Sequence, residues 1–253
     1  MSVLLVDIGN SRIKWARLNG ERLGKAKAAE YAGWGPRDFA DRVIGSRQGL
    51  ERILVSNVAG DDVRIALDAG ALVAGARTPQ LVASQRKACG VTLGYIDPWR
   101  FGVDRMLAMI AAHWRFTGKP VCVVAVGTAM TIDLVGADGL HRGGAIIPAP
   151  TLMVSSLLDG TSGIRQRAQG GARGRGQALF GKSTRAAVEQ GARYAAAAAV
   201  DRAVNEARAV VGQTPKLVMT GGGAPGLAPL IRSAALLVPD LVLEGLAAWS
   251  VGA

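Results

Sequence analysis

Asp7, Gly9 and Lys14 stand close together near the start of the chain, with Ile8, Asn10, Ser11, Arg12 and Ile13 filling the segment Asp7–Lys14. A glycine turn can bring backbone N–H groups against an anion. A hydroxyl, a cation and a carboxylate beside it suit a phosphate and the metal that travels with it. The apolar run Val3–Val6 precedes this set, and Ile13, Trp15, Ala16 and Leu18 follow it. The pattern predicts a buried strand, a tight turn and a second strand. An ordinary hairpin with a polar tip has the same pattern. A second copy of the pattern favours phosphate. Setting Gly9 on Gly127 places LLVDIGNSRIKWARL beside CVVAVGTAMTIDLV without a gap, with Thr128 at the second turn and Ala125 opposite Asp7. Two such hairpins about half a chain apart predict a duplicated fold with a cleft between its halves. Gly221–Gly223 make a third glycine turn after a strand-like run, suited to passing a nucleotide base or ribose, or simply to a flexible connection.

A second cluster is Gly102-Val103-Asp104-Arg105. An aspartate aimed into a cleft can take a proton from an attacking hydroxyl while the arginine holds an anion, which is the division of labour phosphoryl transfer needs. A capping aspartate and a surface arginine would look the same. His113 reads as an ordinary helix residue.

These groups need strands and helices to hold them. Arg22–Ala29 offers a weak third strand, Pro36–Ile44 a helix, Arg52–Val55 a buried strand, and Asp62–Asp68 a helix capped by Asp61 and ended by Gly70. Asp97-Pro98 opens a helix running to about Trp114. His141–Ile147 is a strand and Thr151–Leu158 a short helix. Gly163–Arg185, with six basic residues and no acidic one, reads as a loop over a cleft, a nucleic-acid arm or a solvated surface. Ser183 caps a long helix to Val211 with Gly212 as its stop. Lys216–Met219, Pro225–Arg232, Ala235–Val238 and Asp240–Ser250 follow as strand, helix, strand and helix. The alternation predicts an α/β fold, with halves at 1–117 and 118–253.

A chain of 253 residues, 49% hydrophobic, with a net charge of +11 predicts a globular protein with anionic partners, nucleotides and nucleic acids alike. Only two cysteines occur, Cys89 and Cys122, which suits a reducing cytosol. A cytoplasmic protein is expected: the sequence has no signal-peptide pattern and no apolar run of membrane-spanning length.

The ordered series DIGNSRIK, Tyr95, GVDR, VGTAMTID (Val126–Asp133), GGAIIP (Gly143–Pro148), GKST (Gly181–Thr184) and TGGGAPG (Thr220–Gly226) resembles the type III pantothenate kinases, also called the Bvg accessory factor family. They belong to the actin-like and sugar-kinase ATPases. The resemblance implies two ribonuclease-H-like halves and ATP-dependent phosphorylation of pantothenate to 4′-phosphopantothenate, the first step toward coenzyme A. It implies that Asp7, Ile8, Gly9, Asn10, Ser11, Arg12, Ile13 and Lys14 bind ATP, with Asp7 near Mg²⁺ through water and Thr128 on phosphate. Tyr95, Gly102, Val103, Asp104, Arg105 and Thr184 would bind pantothenate, with Asp104 as general base. A homodimer is implied, with no membrane and no specific nucleic acid. Many relatives carry an aspartate for K⁺ or NH₄⁺ where Ala125 stands, so a monovalent cation is not expected to be required. Ala149 replaces a usual glycine, and Asp133 is a further candidate near Mg²⁺. The alternatives are another small-molecule kinase on the same fold and a regulator associated with nucleic acid.

Overall fold

The computed structural model describes residues 2–172 and 178–252. The chain divides into two compact units, Met1–Arg115 with Asp240–Ala253, and Phe116–Pro239.

The first unit is built on β1 (Ser2–Ile8) and β2 (Arg12–Asn19), paired antiparallel with Asp7 opposite Lys14 and Ile8 opposite Ile13. The expected third strand is two short pieces on the outer edge of β2, β3 (Arg22–Leu23) and β4 (Lys27–Glu30). The helix expected over 36–44 starts as one turn, α1 (Pro36–Asp38), and widens into a π-turn over Phe39–Ile44. β5 (Leu50–Asn57) lies parallel to β1 on its other side, with Ser56 opposite Asp7. Side chains alternate between the faces of a strand. Leu4, Val6 and Ile8 therefore share one face, where they pack with Phe39, Val43, Ile44, Val63 and Leu67.

Helix α2 (Asp61–Val73) runs through Gly70 instead of ending there. A Cβ at that position would lie 2.7 Å from Pro36 O and 2.8 Å from Phe39 Cβ. Gly70 is thus a close-packing residue against the π-turn, and the stop falls later. β6 (Gln80–Leu81) extends the sheet beyond β5, and β7 (Lys87–Ala88) and β8 (Val91–Thr92) form a separate hairpin. The helix expected from Pro98 is a 3-10 turn at Pro98–Arg100, a break at Phe101-Gly102, and then α3 (Val103–Arg115).

The second unit repeats the strand order and sense. β9 (Val121–Val126) is central, β10 (Ala129–Val135) and β11 (His141–Pro148) follow antiparallel, and β12 (Lys216–Thr220) and β13 (Ala235–Leu237) lie parallel on the other side. α4 (Pro150–Gly160) follows β11. Ala149 takes an ordinary extended conformation before it and is buried in the core, so alanine fits without strain. Part of the expected basic loop is helical, as α5 (Ser162–Ala168); the rest of that reading at 173–177 lies outside the described residues. α6 (Thr184–Val211) begins where Ser183 Oγ accepts the Ala186 N–H and ends at Gly212 in the left-handed region, as expected. Its Ala196, Ala197, Val200 and Val204 pack on Cys122, Val124 and Met219. The helix expected over 225–232 is a short α7 (Ala224–Leu227) and a 3-10 turn.

The expected division at 1–117 and 118–253 needs correction at its end. The closing helix α8 (Leu241–Gly252) belongs to the first unit, where it packs on α3. Gly245 makes this possible: a Cβ there would stand only 2.1 Å from Leu107 O. Arg115 then reaches Glu244 at 2.7 and 2.8 Å.

Candidate active site

The first hairpin turn is closed by Gly9 N–H donating to Arg12 O at 3.0 Å. Asn10 and Ser11 are exposed at its tip, as a turn that presents N–H groups to a ligand requires. Tyr31 is a residue the sequence reading missed. Its hydroxyl donates to Gly9 O at 2.7 Å and lies 3.2 Å from Asn10 O, fixing the turn from β4's end. Lys14 lies opposite Asp7 and forms an ion pair with Asp240 at 3.4 Å.

Asp7 as a whole is half-buried, but its Oδ1 is fully covered. Burial pushes its carboxyl up from 3.8 to about 7, and the nearby Asp104 carboxylate pushes the same way. Ser56 and Lys14 pull it down. Ser56 is close enough to act on Asp7, yet neither Ser56 Oγ nor Asp7 Oδ1 has a hydrogen-bond partner of ordinary geometry among the described residues.

Asp104 sits in the first turn of α3, and its Oδ1 accepts the Arg105 N–H at 2.8 Å. It therefore caps its own helix, while its charge is felt at Asp7. Gly102 leaves room for it, since a Cβ there would lie 2.7 Å from Asp104 Oδ1. Arg105 is not a surface residue: it is buried, its Nη1 is 3.4 Å from the Tyr95 hydroxyl, and its guanidinium stacks 4.3 Å over Phe101 and 5.7 Å from the Tyr95 ring centre. Tyr95 and Phe101 meet edge to face at 4.7 Å. Arg86 fixes the backbone that carries Tyr95, donating to Tyr95 O at 2.6 Å and Ile96 O at 2.9 Å. Phe101 and Arg86 carry no local sequence signal of this role. The structure thus brings Asp7 and Lys14 into one electrostatic cluster with Asp104, and joins Tyr95 to Gly102–Arg105.

Thr128 and Thr184 stand on the second unit. Thr128 is exposed at the second hairpin turn, which Gly127 N–H closes onto Ala129 O at 2.9 Å. Gly221 has a positive φ, and a Cβ there would lie 2.4 Å from Val126 O, so it is needed to seat the third turn against this hairpin. A Cβ at Gly222 would meet open space. Thr184 opens α6 and lines an apolar groove of about 430 Å³ with Met153, Leu157, Ile164 and Val188. Asp133 is buried and paired with His141 Nε2 at 3.1 Å, which gives it a structural partner inside the sheet. His113 lies beside the Gly90 turn.

The fold and site define an α/β protein with two mixed sheets, each carrying a hairpin closed at a glycine. A family model described as type III pantothenate kinase matches residues 3–206. Curated relatives of that description include one from Stenotrophomonas maltophilia (strain K279a), 37% identical over 251 residues and 99% of this chain and 98% of its own. Another, from Nitrosococcus oceani, is 35% identical over 249 residues, 97% of this chain and 92% of its own. The chain belongs to the type III pantothenate kinase family. Among solved structures, a Campylobacter jejuni protein described as a Baf family transcriptional activator superposes with a TM-score of 0.56 at 20% identity, covering 96% of this chain and 94% of that one. The activator of the 2-hydroxyisocaproyl-CoA dehydratase from Clostridium difficile, with bound ADPNP, gives 0.54 at 11% identity, covering 98% and 93%. These two likenesses concern the fold alone.

Proposed function

We propose that this protein transfers the γ-phosphoryl group of ATP to pantothenate, giving 4′-phosphopantothenate, the first step of coenzyme A synthesis and the activity of its family. The observation that carries the assignment of roles is the placing of Asp104, beside the Arg105–Tyr95 pair, within electrostatic reach of Asp7. In this reading the segment Asp7–Lys14 embraces the ATP phosphates, with Lys14 and the turn N–H groups countering their charge. Thr128 binds phosphate from the second hairpin. Tyr95 and Gly102–Arg105 line the pantothenate pocket, where Arg105 holds the carboxylate or a neighbouring polar group, and Thr184 completes it. Asp104 accepts the proton of the pantothenate hydroxyl as its oxygen attacks phosphorus, and ADP leaves.

The buried, unsatisfied Asp7 Oδ1 and the neighbouring Asp104 carboxylate fit a divalent cation. Mg²⁺ bound with ATP at Asp7, through water, would offset phosphate charge. The two units read as ribonuclease-H-like halves related by duplication, supported by their common strand order, with a homodimer as the working form. Ala125 offers a methyl group, which cannot ligate a cation, in place of the aspartate that the family resemblance leads one to expect, so in this reading activity is independent of K⁺. Among the described residues no helix is long and apolar enough to cross a membrane.

The test is phosphorylation of pantothenate by the purified protein with Mg-ATP, detecting phosphopantothenate directly, in Na⁺ and in K⁺ at equal ionic strength. Product at similar rates in both is expected. Product only in K⁺ would remove the reading of Ala125, and no product in either would remove the kinase assignment.

A further inference from the structure

Ser56 faces Asp7 across the parallel pairing of β1 with β5. It is 0% exposed, and its Oγ has no hydrogen-bond partner among the described residues; Asp7 Oδ1 shares that condition. Buried polar atoms are nearly always satisfied, so two orphans on neighbouring strands require a cause. The second unit supplies the contrast. There Thr220 holds the corresponding place on β12, opposite Ala125 on β9. Its hydroxyl donates to Pro239 O at 3.3 Å. Where the carboxylate is missing, the hydroxyl bonds a backbone carbonyl; where the carboxylate is present, the hydroxyl acts on that carboxylate without a hydrogen bond of ordinary geometry. Asp104 adds negative potential at the same place, which selects a cation as the group that satisfies both oxygens.

We propose that Ser56 is a positioning residue for the divalent cation that accompanies the ATP phosphates, its hydroxyl holding the hydrated ion together with Asp7. This deepens the phosphoryl-transfer reading above and rests on it for the identity of the nucleotide. Ser56 does not touch pantothenate in this scheme. It fixes the ion, and through the ion the phosphates.

The experiment is a Mn²⁺ titration followed by electron paramagnetic resonance, with a non-hydrolysable ATP analogue present, on wild-type protein, Ser56→Ala and Ser56→Cys. Both variants should bind Mn²⁺ about tenfold more weakly, the lower end of what loss of an outer-shell partner does to metal affinity. Analogue binding without metal should stay unchanged. The ligand-free melting temperature of Ser56→Ala should equal or exceed that of wild type, because an unsatisfied buried hydroxyl has been removed. Unchanged Mn²⁺ affinity in both variants overturns the proposal, as does a lower ligand-free melting temperature for Ser56→Ala, which marks a structural hydroxyl. Pantothenate phosphorylation by the same wild-type preparation is scored separately. Its absence removes the substrate assignment, while the Mn²⁺ result still decides the role of Ser56.

Discussion

Replacing Asp7 by Asn should stabilise the ligand-free protein at neutral pH while removing its activity. The Asp7 carboxyl is raised from 3.8 to about 7 by burial first and by Asp104 second. That difference of about 3 pH units corresponds to about 4 kcal/mol at roughly 1.36 kcal/mol per unit. The folded-state value lies above the unfolded one. The carboxyl's contribution to stability is therefore complete below about pH 3.8 and is lost as pH rises through about 7. Asn has no proton to lose, so the advantage of Asp7→Asn over wild type grows with pH. Integrating between pH 5 and pH 8 gives a widening of about 2–3 kcal/mol. Water entry and side-chain relaxation around the ionised group lower this figure, and a widening of at least about 1 kcal/mol is expected. The assay is urea unfolding of both proteins at several pH values, free of metal and nucleotide, where groups common to both cancel in the difference. In an Asp104→Asn background the widening should shrink, because one cause of the raised pKa is gone. A difference that stays flat, or narrows as pH rises, would refute the picture of a buried carboxylate repelled by its neighbour.

Asp104→Asn keeps the size of the side chain but not its basicity, and should lower turnover by about 10²–10⁴-fold with ATP binding retained by calorimetry; near-normal turnover removes Asp104 as the base. Tyr31→Phe loses the bonds to the hairpin carbonyls and should raise the KM for ATP about 2–10-fold, the effect of about 0.5–1.5 kcal/mol; a change confined to the KM for pantothenate would contradict the tether. Gly245→Ala drives a methyl group into the Leu107 backbone and should destabilise the fold by about 1–3 kcal/mol in urea unfolding, whereas unchanged stability would contradict the close crossing of α8 on α3.

What the sequence made legible shares one property: its cause is local. The hairpin at Gly9 follows from an apolar run meeting a glycine and small polar residues. The long helix from Thr184 to Val211 follows from a serine cap and a glycine stop. The misread features have distant causes. Gly70 has the composition of a stop, but its neighbours in space are Pro36 and Phe39, so packing sets its role. The residues Phe39–Ile44 keep an apolar spacing that suits an α-turn as well as the π-turn they form. In the site, Tyr31, Ser56, Arg86 and Phe101 act on groups that only folding brings near them. The closing helix is the extreme case. Its sequence reads as a closing helix of the second half, yet it completes the first unit, and the residue just before it, Asp240, pairs with Lys14. The cation expected to meet the phosphates is therefore held by the far end of the chain. Loss of the segment Asp240–Ser250 would remove a partner of Lys14 and uncover α3, the helix that carries Asp104, so the turn proposed to bind phosphate and the proposed base both depend on a segment that no motif marks as part of the site.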